Sequence, residues 1–332
     1  MRNRMLALVL VAVPAAGGVA RAEPRQDPNS IWTFQVENDA ASTLKGTSDQ
    51  YYTSGLRIGW TSPTDTLPTP LADAGHFLWG DGVQRVSIDL RQSIFTPRDT
   101  QLEIPNPHDR PYAGELVLTG GLIQDTDTTR DLLDLTVGTV GPSSLARQVQ
   151  NGFHSIIGDT QNKGWHYQIQ DQPAIEVLEQ RTWRLPIAQA YGLETDTLPS
   201  AAIGLGDLRD YIQVGAIFRI GQGLNSDFGT SRIEPGLNGS DAYVATRPFA
   251  WYVFGGVDGQ AVGYDVTLDG STFRRNTPSV HRVWDVGEIE AGIAVMLYGC
   301  RISYTQTWQT QEFDGQKGGL FNFGSLTLST KF

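Results

Sequence analysis

The chain has 332 residues, 39% of them hydrophobic, a formal net charge of -11 at pH 7 and one cysteine, Cys300. So acidic a chain is a poor ligand for phosphate backbones, which argues against nucleic acid as a partner. A single cysteine excludes an intrachain disulfide, and beyond the first residues no stretch approaches the ~20 apolar residues of a membrane-spanning helix.

Residues 1–22 begin with Arg2 and Arg4, continue in an apolar run over 5–13 and end in Ala20-Arg21-Ala22, a small-x-small cleavage site. This is the pattern of a signal peptide, so the protein is expected to leave the cytoplasm and to begin at Glu23. No linker and no repeat of 20–50 residues divides the remainder, so 23–332 reads as one domain.

That domain reads as alternating strands. Trp32, Phe34 and Val36 share one face. Leu56, Ile58 and Trp60 alternate with Arg57, and Val86, Ile88 and Leu90 alternate with Arg85, Asp89 and Arg91. A row of charges pointing one way is costly in a packed core and reasonable in a wet lumen. The pattern returns around Leu116, Leu118 and Leu122 and around Leu133, Leu135 and Val137. It then covers 174–183, 193–204, 211–221, 249–257, 261–268, 286–297, 300–310 and 320–332.

These are thirteen segments, and single-chain bacterial barrels use even numbers, so one is a misreading or belongs to a loop. The fold expected is an all-β transmembrane antiparallel β-barrel of about 12 strands. Trp32, Trp60, Trp183, Trp251, Tyr252, Tyr304 and Trp308 stand where interfacial girdles belong, and the chain ends on Phe332, as outer-membrane strands often do. A soluble secreted β protein has much the same composition.

One segment, 141–158, reads as a helix set in a loop. Leu145, Val149, Phe153 and Ile156 recur at helical spacing, while Gln150 and His154, four apart, share a second stripe. A neutral imidazole there can take a proton from water and an amide beside it can donate to an oxyanion, or His154 simply closes the polar side of a short helix. Three further polar clusters break the alternation. Glu37-Asn38-Asp39 offers oxygens to a hard cation, or is a strand-ending turn. Residues 51–55 (YYTSG) offer hydroxyls to a headgroup, or form an aromatic belt with a bulge. Residues 109–114 (DRPYAG) read as a rigid, charge-locked loop.

The order VENDA, YYTSG, HDRPYAG, GPSSLARQVQNGFHSIIG and GWHYQ, followed by LGDLRDYIQVGAIFRIG and LNSDFG, resembles the lipid A 3'-O-deacylases of the Gram-negative outer membrane. The resemblance implies a twelve-stranded barrel in the outer membrane, with its short active-site helix in a loop at the extracellular rim. It implies a calcium-dependent ester hydrolase that removes the 3'-acyloxyacyl chain from lipid A, with lipopolysaccharide of the outer leaflet as partner and a monomer as the working state. Carried over by motif, His154 is the base, and Gln150, Asn38 and Thr53 complete the catalytic set. Ca²⁺ falls to Asp39 and Asn38. The sequence departs from the family where a glutamate is expected six residues after the histidine. Thr160 stands there, with Asp159 beside it as the carboxylate available to the metal. Arg98 is the nearest candidate for a basic residue expected before Asp109-Arg110. Two rival readings are an outer-membrane phospholipase, which needs a Ser facing His154 where Ser155 cannot, and a non-catalytic barrel or pore.

Overall fold

In a computed structural model the described residues are 26–41 and 49–332, so the expected leader lies outside them. Thirteen strands follow in chain order: β1 (Ile31–Asn38), β2 (Tyr51–Thr61), β3 (Val83–Thr96), β4 (Ala113–Asp125), β5 (Thr129–Val140), β6 (Gln172–Trp183), β7 (Leu185–Ala190), β8 (Leu193–Gly206), β9 (Arg209–Gln222), β10 (Phe249–Asp265), β11 (Asp285–Leu297), β12 (Cys300–Gln309) and β13 (Phe321–Lys331). Neighbours pair antiparallel, β1 pairs with β13 and β6 pairs with β8, so twelve strands close a ring. β7 continues the line of β6 past Arg184 and pairs with β8 alone.

The thirteenth segment read from sequence is explained by β10. Residues 249–257 and 261–268 are not two strands: Phe249–Asp265 is one strand of 17 residues, and Val266–Asp269 is a helical turn. Gly255, Gly256 and Gly259 interrupt the apolar alternation without interrupting the hydrogen-bond ladder, which is why the pattern split where the backbone did not. Helices are α1 (Thr69–Trp79), α2 (Ala146–Ile157) and α3 (Val266–Asp269). The region of α2 was expected; α1 was not, although Pro70 in its first turn and Gly80 at its end, at φ 82°, are ordinary helix boundaries. No helix among the described residues is long and apolar enough to cross a membrane.

The alternation settles as outside and inside. On β1 Trp32, Phe34 and Val36 are exposed outward, while Thr33, Gln35 and Glu37 are buried inward. The inward charges meet the connection between β9 and β10, residues 223–248, which enters the lumen. Arg57 bonds Asp241 at 2.7 Å and Asp89 at 3.0 Å. Asp227 takes Arg219 at 2.6 Å and Arg301 at 3.2 Å, and Arg232 takes Glu288 at 2.6 Å. Two cavities beside this segment hold only about 30 and 80 Å³, so the lumen is filled here rather than open. Tyr252, expected in a girdle, points inward, where its hydroxyl donates to Asp227 Oδ2 at 2.9 Å. Trp32, Trp60, Trp183 and Trp251 keep to the outward rows at the end that carries the chain termini.

Glu37 is likewise drawn inside, away from the neighbouring Asp39. Its carboxylate accepts from the backbone N–H groups of Ile233 (2.8 Å) and Glu234 (3.0 Å) and from Tyr52 Oη (2.8 Å). Tyr51 and Tyr52 are not a belt but a buried aromatic cluster, Tyr51 edge-on to Phe313 and Phe321, and Tyr52 against Phe95 and Phe323. Arg110 locks the loop as expected, though not through Asp109. Its buried guanidinium bonds Glu312 and Thr267 from two other loops and lies over the Phe95 ring.

Breaking a buried pair strands the remaining charge, at a cost of about 3–5 kcal/mol, whereas replacing both partners by apolar side chains is close to neutral. Arg110→Ala is therefore expected to lower barrel stability by about that amount. Arg110→Met with Glu312→Leu should restore most of it, as read by urea unfolding in phospholipid vesicles. Equal losses in both variants would show that the ion pair is not what ties the loops.

Candidate functional site

α2 starts after two unusual backbone positions, Gly141 at φ 110° and Leu145 at φ 61°, and stops at Gly158, φ 76°. A side chain on Gly141 would strike the backbone of Gln170 and Asp171, so glycine is required there by contact as well as by conformation. The helix is amphipathic in reverse. It buries Ala146, Gln150 and His154 and leaves Val149, Phe153 and Ile156 exposed.

What it buries them against is the outside of the barrel. Ile94 belongs to the outward row of β3 that exposes Ile88 and Leu90, yet it is only 2% exposed because α2 covers it with Ala146. Gln92 of the same row donates to Ser144 O at 2.6 Å, and Gly114 on β4 leaves room for Ser144 and Ala146. The polar stripe thus faces a cleft between helix and wall.

In the cleft, His154 Nδ1 lies 2.7 Å from the backbone oxygen of Thr160 and Nε2 lies 3.2 Å from Asp49 Oδ2. A carbonyl only accepts, so Nδ1 carries a hydrogen; Nε2 faces the Asp49 carboxylate, to which it donates when the ring is charged, and in the neutral ring it is the atom left to take up a proton. Gln150 Oε1 accepts from Trp165 Nε1 at 2.9 Å, and Trp165 is held against Tyr112. The buried Gln150 Nε2 makes no close hydrogen bond, and its amide faces the Asp49 carboxylate, whose charged form it favours. Thr53 sits at a bulge between the β2 and β3 ladders; its hydroxyl bonds Thr96 Oγ1 at 2.8 Å, and Thr96 bonds the backbone oxygen of Asp49 at 3.0 Å. Asp49 and Tyr51 both hold left-handed backbone, φ 54° and 63°, which marks the turn as constrained.

Asp39 is 1% exposed. Its Oδ2 accepts from the Gln50 backbone N–H at 2.8 Å, while Oδ1 is buried with no partner. Burial, and after it the charge of Asp49, push its carboxyl up to about 8 against the pull of the backbone N–H groups. Asp49 is also raised, chiefly by burial and further by Asp159, with His154 opposing. Asn38 turns its Oδ1 to the Ala40 N–H at 2.7 Å. Asp159 Oδ1 accepts from the Thr160 N–H at 2.6 Å, and ligand atoms of Asp49, His154 and Asp159 lie within 4.8 Å of one another.

Of the residues singled out in the sequence, His154 and Gln150 share the cleft floor, Thr53 reaches it through Thr96, Asp159 borders it and Asp39 lies within the electrostatic reach of Asp49. Asn151, next to Gln150 on α2, is turned elsewhere. Its amide clamps Asn162, donating at 3.1 Å and accepting at 2.9 Å. Ser155 is turned to Asn151 O and Gln161, away from His154. Arg98 is exposed, anchored by its backbone N–H to Asp109. Thr160, where the family pattern expects a glutamate, acts through its carbonyl. Sequence reasoning missed Asp49, Thr96 and Trp165. Asp49 lies only two residues before the YYTSG run and Trp165 inside GWHYQ, so both were adjacent to motifs but carried no spacing signal of their own.

The family model described as Outer membrane protein LpxR matches residues 5–332. Among solved structures, LpxR from Salmonella typhimurium superposes with a TM-score of 0.75 at 20% identity, covering 91% of this chain and 100% of that one. The beta domain of the Bordetella autotransporter BrkA matches at a TM-score of 0.46 and 10% identity, covering 92% of this chain and 100% of that one, a score too low to carry an inference. No curated protein sequence matches. A match over nearly the whole length, on a closed ring of twelve antiparallel strands, identifies an outer-membrane β-barrel, and the chain belongs to the LpxR family.

Proposed function

We propose that the protein is a lipid A 3'-O-deacylase, hydrolysing the ester that carries the 3'-acyloxyacyl chain, with His154 as base. The observation that carries this reading is the position of the cleft. It opens between α2 and the lipid-facing side of the wall, so its polar floor is reached from the membrane and its roof exposes Leu145, Val149 and Phe153. A substrate with a sugar headgroup and acyl chains in the same leaflet matches that division, and a water-soluble ester does not.

The residues derive the steps. His154 Nε2 accepts a proton from water as the water oxygen attacks the ester carbonyl. Thr160 O, bonded to Nδ1–H, and the Asp49 carboxylate then face an imidazolium and stabilise it. The Gln150 amide N–H, held beside Asp49 with its oxygen fixed by Trp165, is the donor available to the developing oxyanion. When the tetrahedral intermediate collapses, the 3' oxygen of the sugar leaves and takes the proton back from Nε2. The products are the free 3-acyloxy fatty acid and a 3'-hydroxyl.

The site fits a hard cation, because Asp39 Oδ1 is buried without a donor and its neighbours offer oxygens. Asp39 would hold Ca²⁺, with Asn38 as the further oxygen expected from the motif and Asp159 as the carboxylate beside the position where the family has a glutamate; when bound, the ion supplies Lewis-acid polarisation of the ester carbonyl. Imidazole is a poor partner for calcium, which leaves His154 to proton transfer. The phospholipase reading loses its nucleophile because Ser155 faces away, and the pore reading meets a filled lumen.

His154→Ala is expected to cut release of the 3'-acyloxyacyl chain about 10²–10⁴-fold while the barrel still folds, as read by mass spectrometry of lipid A from an expressing host. Activity near that of the parent would remove His154 from the role of base. Gln150→Ala should cost about 10²-fold in turnover.

Since Asp39 holds its proton up to about pH 8, proton and calcium compete for it. The calcium concentration giving half-maximal deacylation should rise roughly tenfold per pH unit below that value, for one proton displaced. Asp39→Asn should abolish the calcium response, and a calcium requirement independent of pH would place the ion elsewhere.

A further inference from the structure

α1 repeats, at the opposite end of the same two strands, the way α2 sits on the wall. Gln84 on β3 and Gln124 on β4 belong to the outward rows of Ile88, Leu90 and Leu118, where a polar amide facing lipid is costly. Both are buried beneath α1: Gln84 Nε2 donates to Ala72 O (3.1 Å) and to Gln124 Oε1 (2.7 Å), and Gln124 Nε2 donates to Gly80 O (3.0 Å). Gly75 is the only buried residue of α1, and a side chain there would strike Gln84. α1 is therefore fastened to the outside of the barrel by an amide network.

With Ala72, Gly75 and Trp79 turned to the wall, the remaining surface divides into two flanks with Phe77 between them, opposite the wall. One flank carries Leu71, Ala74 and Leu78, with Leu71 and Leu78 exposed by 46% and 51%, while Phe77 at the crest is exposed by 90%. The other carries Thr69, Asp73 and His76, all exposed. Gln84 under α1 and Ile94 under α2 are ten residues apart on β3. At ~3.3 Å per residue and a tilt of roughly 40° that is about 25 Å along the barrel axis, the height of an outer-membrane apolar band.

We propose that α1 is an interfacial helix, lying in the leaflet at the end that carries the chain termini, with Leu71 and Leu78 among phospholipid acyl chains and Asp73 and His76 in water. The apolar flank is continuous with the lipid-facing rows of β3 and β4, and the division into wall, lipid and water faces is that of a helix lying in a membrane interface.

The test is a nitroxide attached at Leu78→Cys or Asp73→Cys, each with Cys300→Ser, in the full-length barrel reconstituted into phosphatidylcholine–phosphatidylglycerol vesicles. Leu118→Cys on the lipid-facing row and Asp314→Cys in an exposed loop serve as references. Collisions with oxygen report lipid and collisions with a nickel chelate report water. The label at 78 is expected to match that at 118, with oxygen favoured several-fold, and the label at 73 to match that at 314. Nickel access at 78 equal to that at 314 would place the flank in water and overturn the proposal. A label at 78 reached by neither reagent would show it covered by protein, with the same consequence. Both substituted side chains are exposed, and folding of each variant is checked by the heat-dependent shift of the barrel on gels.

Discussion

The constraint on which everything else depends is that a strand crossing lipid must satisfy its backbone N–H and C=O groups within the protein. The chain meets it by closing β1 on β13 and β6 on β8, so the ring has no free edge among its twelve walls. Once the ring is closed, side chains have only two destinations. The outward rows must be apolar and the inward rows are free to be charged, which is why Arg57 and Asp89 alternate with Leu56, Ile58, Ile88 and Leu90.

Inward charges in turn need partners, and the connection from β9 to β10 supplies them. Asp227 between Arg219 and Arg301, Asp241 on Arg57, and the two backbone N–H groups on Glu37 make the inserted segment part of the barrel's electrostatics rather than a loose plug. Filling the lumen moves any chemistry to the outer surface. There α2 turns its polar stripe to the wall and its apolar stripe outward, the reverse of a helix on a soluble protein, because its solvent on that side is lipid. The same rule accounts for α1, whose wall contacts are amides that would otherwise be stranded.

Within the cleft the decisive groups come from separate parts of the chain. His154 and Gln150 come from one helix, but the carboxylate facing His154 is Asp49, from the turn before β2, and the ring is oriented by the carbonyl of Thr160. Losing a glutamate at position 160 therefore leaves His154 with both an orienting acceptor and a carboxylate beside it. Burial is what gives Asp39 and Asp49 their raised carboxyls, and burial is a property of the assembled rim.

Period-2 alternation, the helical spacing of Gln150 and His154, and the motif order from VENDA to GWHYQ were legible directly in the residues, because each is a local pattern that the backbone must honour. They determined a barrel of about twelve strands and the place of the helix, and they pointed to His154 as the candidate base. The alternation also misled where glycines break the side-chain pattern of β10 without breaking its hydrogen bonds, and it could not announce α1, whose three faces carry no single period. Only the tertiary structure decided that Glu37 turns inward while Asp39, two residues on, stays at the rim, and that Asn151 clamps a loop while Gln150 enters the cleft. It alone decided that Asp49 meets His154 across more than a hundred residues of sequence. Those choices rest on which side of a closed wall each side chain emerges, and that is fixed only when the ring closes.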